Sequence, residues 1–193
     1  LRARNEWRWL LAHALRGMSH LWQSHLSPNV HKPLQTRGRI KQLQKTVQRQ
    51  RGLLNSVRME SRSLRPYGKE LEALVEVQER CLLLLELLAQ SRWENSASAQ
   101  AIQQQYVISV QARTLGERLT AFSRFCAGEQ LELPEAASED GLKLKQMMLG
   151  SLEQQQSHSL NAYGYGWLIY QTSLQITLLE KLIRGLAVSR NDP

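Results

Sequence analysis

Apolar residues recur at steps of three and four along nearly the whole chain, the period of one helix face. Trp7, Leu11, Ala14, Met18, Leu21, Trp22 and His25 make the first stripe and predict a helix over about 4–26. Pro28 and Pro33 then bracket a loop that holds Asn29 and His31. A second stripe, Ile40, Leu43, Val47, Leu54, Val57 and Leu64, has Gln50 and Ser61 at its remaining positions and predicts a helix starting near Gly38. It ends at Arg65-Pro66-Tyr67-Gly68, because proline disfavours helical geometry in the residue before it. A third helix, over about 69–93, carries Leu71, Leu74, Val75, Gln78, Cys81, Leu82, Leu85 and Leu88 on one face. Leu83, Leu84 and Leu87 widen that face until most of the helix is apolar, which suits the centre of a bundle.

The fourth helix is expected over about 99–127, with Ile102, Tyr106, Leu115, Leu119, Phe122 and Cys126 along it and Gly128 as its C-cap. A loop follows over 131–138, and Ser138 with Glu139 and Asp140 reads as an N-cap and an acidic first turn. The stretch 141–188 is helical with a break within 154–166. Residues 154–159 lack apolar side chains, and Gly164 and Gly166 each cost about 1 kcal/mol relative to Ala inside a helix. Its second helix carries Trp167, Tyr170, Leu174, Leu178, Leu182 and Leu186. Asn191-Asp192-Pro193 is a tail. No segment alternates β-branched residues with period two. The expected fold is therefore all-α, an antiparallel bundle of five to six helices with no sheet, in a single domain over 1–193. Its core is expected to hold Leu74, Cys81, Leu85, Leu88, Leu115, Leu119, Phe122, Leu174 and Leu178.

Charge divides the chain in two. The formal net charge is +8, but residues 1–66 hold 14 Lys/Arg against two acids, Glu6 and Glu60, while the remainder is net acidic. A basic block of this kind points to a polyanion, whether nucleic acid, anionic lipid or an acidic protein surface. The polyanion-facing candidates are Arg39, Lys41, Lys45, Arg49, Arg51, Arg58 and Arg62, mostly off the apolar stripe of the second helix. The bland alternative is a solvated face answered by acids of the same domain, and Glu72, Glu76 and Glu79 stand at helical spacing to supply them.

Candidate chemistry is thin. His13, His20, His25 and His31 lie close in sequence, but no pair has the four-residue spacing of a helical zinc clamp. Cys81 and Cys126 fall on apolar stripes and read as inert core cysteines. No nucleophile elbow, zinc-protease motif, phosphate loop or Glu-x-x-His pair occurs. No catalytic residue, metal or cofactor is expected, and the chain reads as a non-enzyme. The run Tyr163-Gly164-Tyr165-Gly166-Trp167 reads as a helix junction packed by aromatics. Arg2, Arg4, Trp7, Arg8 and Trp9 form a further group, because tryptophan among arginines is the composition found beside a bilayer. The competing reading puts Trp7 in the core and leaves Trp9 merely exposed.

Three segments carry a family resemblance: LEALVEVQERCLLLL at 71–85, VQARTLGERLTAFSRFCAGEQLELP at 110–134, and the helix over 167–186. In order and length of helices the chain resembles the cytoplasmic domain of the fusaric acid resistance (FUSC) family, in the branch of YccS-like inner-membrane proteins. The resemblance implies a domain excised from a longer, transporter-like efflux protein of the bacterial inner membrane, held on the cytoplasmic side and serving assembly or gating. Its implied partners are the protein's own transmembrane halves, anionic lipid headgroups and further copies of itself, with no specific nucleic acid. Arg2, Arg4, Trp7, Arg8 and Trp9 would then be membrane-proximal, and both ends of the domain would return to one pole. The alternative is a soluble basic helical protein that binds nucleic acid or another polyanion through its second helix.

Overall fold

The computed structural model describes residues 2–26, 33–94, 106–135 and 160–188. Five α-helices and no strand occur among them: α1 (Arg2–Leu26), α2 (Pro33–Glu60), α3 (Gly68–Glu94), α4 (Tyr106–Ala127) and α5 (Leu160–Val188). The molecule is an all-α bundle. The expected loop at 28–31, the start of the fourth helix at 99–105, the acidic N-cap at 138–140, the helix from 141, the apolar-free run 154–159 and the tail 191–193 lie outside the described residues.

The second helix begins earlier than its apolar stripe, at Pro33. Proline suits a first helical position, where its missing N–H has no intrahelical partner to lose. The helix also stops sooner, at Glu60, and a short 3-10 turn over Arg65–Tyr67 leads into α3. At the end of α4, Gly128 takes φ +82°, a left-handed conformation that costs other residues. The Gly128 N–H donates to Phe125 O at 3.1 Å and the Glu129 N–H to Arg124 O at 2.9 Å, the paired bonds of a Schellman stop.

Helix directions follow from the bonds between them. Gln50 and Gln78 exchange two amide bonds of 2.9 Å in the core, and the ion pairs Arg51–Glu79, Arg58–Glu72 and Arg37–Glu86 run in opposite numerical order, so α2 and α3 are antiparallel. Ser19 Oγ donates to Gly116 O at 2.7 Å and Ser123 Oγ to Ala12 O at 2.8 Å, so α1 and α4 are antiparallel too. Small residues at these positions let the two backbones approach until side-chain hydroxyls reach the neighbouring carbonyls. Arg118 pairs with Glu180 while Arg184 stacks over Phe122, so α4 and α5 run the same way. Around the bundle the neighbours are α4, α1, α2, α3 and α5, with α1 also touching α3 across the core. The α4–α5 contact is less extensive than the other neighbouring contacts.

The core holds Leu74, Cys81, Leu85, Leu88, Leu119 and Phe122, as the apolar pattern requires, and Leu115 packs against its edge. Leu174 and Leu178 are corrections. They are 36% and 37% exposed, and the buried face of α5 is instead Tyr165, Ile169, Ile176, Leu179 and Ile183, with Thr172, Ser173 and Glu180 among them. The hydroxyls of Thr172 and Ser173 enter the core because they bond to Leu168 O and Tyr170 O of their own helix, each at 2.7 Å. Gly164 and Gly166 also break nothing: both lie inside α5, where tertiary packing outweighs their weak helix propensity.

Candidate functional site

The first turns of α1 and the last turns of α5 meet at one pole. Arg4, Trp7 and Arg8 line a single open cavity of about 80 Å³ together with Leu71 and Leu74 of α3 and Ile183, Leu186 and Ala187 of α5. The start of α1 is tied to the end of α2, since the Ala3 N–H donates to Glu60 Oε2 at 2.9 Å. Of the membrane-proximal group, Arg2 is exposed, Arg4 and Arg8 are half-buried, and Trp9 is exposed with its ring stacked on His13 at 5.5 Å. Trp7 is different: at 3% exposure it belongs to the core, because its position on the apolar stripe turns it toward Leu11 and α3. The group thus shares a pole, but Trp7 presents no ring to a surface.

The basic residues of α2 divide into paired and unpaired. Arg49 bonds to Glu6, Arg51 to Glu79 at 2.7 Å and Arg58 to Glu72 at 3.9 Å. Gln48 adds a bond of 2.8 Å to Glu79. The acids of α3 and α1 therefore answer much of the basic face, as the bland reading expects. Arg39, Lys41, Lys45 and Arg62 are exposed and make no ion pair among the described residues. Exposed pairs of this kind contribute little to stability, typically under about 1 kcal/mol each.

One charged cluster was not singled out in the sequence. Glu180 is almost fully buried between α4 and α5 and pairs with Arg118. Arg184, one turn further along α5, donates to Pro134 O and lies 5.2 Å from the Phe122 ring centroid. Burial pushes the Glu180 carboxyl up to about 7, opposed by the charges of Arg118 and Arg184. Its Oε1 has no hydrogen-bond partner among the described residues. An acid at an apolar-stripe position of α5 was the available signal, but its partner stands 62 residues away.

Cys81 and Cys126 are buried and burial pushes both thiols up to about 12, which keeps them from thiolate chemistry at neutral pH. His13 and His20 are exposed and His25 is buried, while His31 lies outside the described residues. Among the described residues no three His, Cys, Asp or Glu side chains gather as metal ligands, and no helix is long and apolar enough to cross a membrane. No family model, curated protein or solved structure matches this chain.

Proposed function

We propose that this bundle is a non-enzymatic domain of a transporter-like membrane protein of the FUSC kind, resting on the anionic cytoplasmic face of a bilayer and serving assembly or gating. The observation that carries the reading is the meeting of α1's first turns with α5's last turns at a pole bearing Arg2, Arg4 and Arg8. Two connections to a bilayer must leave from one face of the domain, and cations beside an anionic leaflet are favoured. A second reading, polyanion binding through α2, draws support from the unpaired Arg39, Lys41 and Lys45.

Vesicle sedimentation separates the two. The protein should bind phosphatidylserine vesicles and leave them as salt is raised. Juxtamembrane cations contribute about 1 kcal/mol each, so Arg2→Gln, Arg4→Gln and Arg8→Gln together should weaken binding roughly 100-fold. Arg39→Gln, Lys41→Gln and Lys45→Gln together should change it little. The reverse ranking favours the polyanion reading, and equal losses reduce the effect to net charge.

A further inference from the structure

We infer that the turn joining α2 to α3 is the edge of the pole that touches the bilayer, with Met59 entering the headgroup layer and Arg62 and Lys69 against anionic lipid beside it. The inference rests on the membrane reading and assigns the part of the pole that makes the contact. Leu64 of this turn and Phe125 and Cys126 of α4 line the same cavity as Arg4 and Leu186, so the turn and the end of α4 both reach that pole. Each carries one large apolar side chain out into solvent. Met59 is 78% exposed in the last turn of α2, and Leu131 is 94% exposed after the end of α4. A single exposed apolar residue is ordinary on a protein surface. Here two stand at the pole proposed to meet the bilayer, and charge separates them.

Residues 57–70 hold four cations, Arg58, Arg62, Arg65 and Lys69, against Glu60 and Glu70. Glu60 is occupied by the Ala3 N–H, which ties the turn to α1 beside the exposed Arg2, and Arg58 is answered by Glu72. Arg62 and Lys69 are exposed and make no ion pair among the described residues. Residues 128–135 are the reverse, with Glu129, Glu132 and Glu135 and no cation. Glu129 is answered by Arg16 and Arg124, but Glu132 and Glu135 have no such partner among the described residues. An anionic leaflet therefore draws in the α2–α3 turn and holds off the loop after α4. The turn is also ordered. The Ser61 N–H donates to Val57 O at 3.0 Å, the Arg65 N–H to Ser61 O at 3.1 Å and the Tyr67 N–H to Leu64 O at 3.1 Å. The Arg65 guanidinium reaches back to Met59 O at 3.3 Å and Arg58 O at 3.4 Å, two of the carbonyls that the end of a helix leaves without intrahelical partners. Met59 is thus presented by a backbone that has little left to order when the side chain enters lipid.

An environment-sensitive nitrobenzoxadiazole label on Met59→Cys or on Leu131→Cys of the whole chain, in which Cys81 and Cys126 are buried, reports which edge enters lipid. With phosphatidylserine vesicles the label on Met59→Cys should shift to the blue and be quenched by spin-labelled lipid, and the label on Leu131→Cys should do neither. Phosphatidylcholine vesicles should change neither label. In sedimentation, Arg62→Gln with Lys69→Gln should weaken phosphatidylserine binding by about tenfold or more. Met59→Ser should weaken it about tenfold. Both variants should keep the melting temperature, because the side chains they remove are exposed. Vesicle binding with no change in the Met59→Cys label, or with a change in the Leu131→Cys label as large or larger, overturns the inference and leaves the membrane reading standing. An unaltered protein that binds no phosphatidylserine vesicle overturns both. A Met59→Cys label that responds to a short single-stranded RNA and not to vesicles overturns both in favour of the polyanion reading.

Discussion

At the scale of single residues, two glycines show how context reverses the sign of one substitution. Gly17 on α1 faces Leu43 of α2 so closely that an added Cβ would lie 2.4 Å from Leu43 Cδ2 and 3.1 Å from its Cγ. Because Cγ is included, the whole buried isobutyl group must move, and overpacking of this kind costs about 1–3 kcal/mol. The gain in helix propensity is at most about 1 kcal/mol. Gly17→Ala should therefore lower stability, by up to about 2 kcal/mol. Gly52, exposed in α2, has nothing within 4 Å of the same added atom. Gly52→Ala should raise stability by about 0.5–1 kcal/mol. Urea melts of both variants check the pair, and a stabilised Gly17→Ala would show that the α1–α2 contact is looser than described.

Glu180 is the residue whose titration reaches the stability of the fold. Its carboxyl moves from an ordinary 4.5 up to about 7 on folding, with burial as the main cause and Arg118 and Arg184 acting against it. Between those values the native state holds a proton that the unfolded chain releases. Stability from this group is therefore fully present below pH 4.5 and is lost as pH rises toward about 7. The chain should lose stability across that window, and Glu180→Gln should flatten the slope there. Urea midpoints measured at several pH values decide it. A slope unchanged in Glu180→Gln assigns the pH dependence to other groups.

At the scale of elements, the helices differ in how plainly their sequences state which face is buried. On α1 and α2 the apolar stripe and the buried face agree, because polar and charged residues occupy most of the remaining positions. On α3 the stripe is buried as well, but Leu83 and Leu87, expected to widen it, face solvent because the helix packs at one side of the bundle and not at its centre. Even Gln50 and Gln78, which sit on their stripes, satisfy one another there. Helix α5 has apolar residues on every side, so a leucine series at Leu174, Leu178 and Leu182 competes with an isoleucine-rich series at Ile169, Ile176 and Ile183. Thr172, Ser173 and Glu180 conceal the second, and only their bonds to α5's own carbonyls and to Arg118 make it the buried one. Ile176→Ala should cost about 2–5 kcal/mol, as should Leu85→Ala on α3, both side chains being fully buried. Leu174→Ala and Leu178→Ala should each cost less than about 1 kcal/mol. The reverse order would restore the leucine register. The candidate site was legible to the same degree: its arginines stand together in the first eight residues, but its cavity is assembled from distant segments that no local pattern joins.

At the scale of the whole molecule, the distinguishing feature is the parallel run of α4 and α5. Five helices alternating up and down would leave the first turn of α1 and the last turn of α5 at opposite poles. The parallel pair brings them together, and Arg4 and Leu186 come to line one cavity. Distance measurement between spin labels tests this directly. Asn5, Gly164 and Gly185 are exposed, while Cys81 and Cys126 are buried with thiols pushed up to about 12, so labels on introduced cysteines should dominate. Gly164 and Gly185 lie 21 residues apart on one helix. At 1.5 Å per residue that places them about 30 Å apart along its axis. The pair Asn5→Cys with Gly185→Cys should therefore report a distance shorter than Asn5→Cys with Gly164→Cys, by a difference approaching that length. Equal distances, or the opposite order, would reject the parallel arrangement. They would also remove the common pole on which the proposed membrane docking depends.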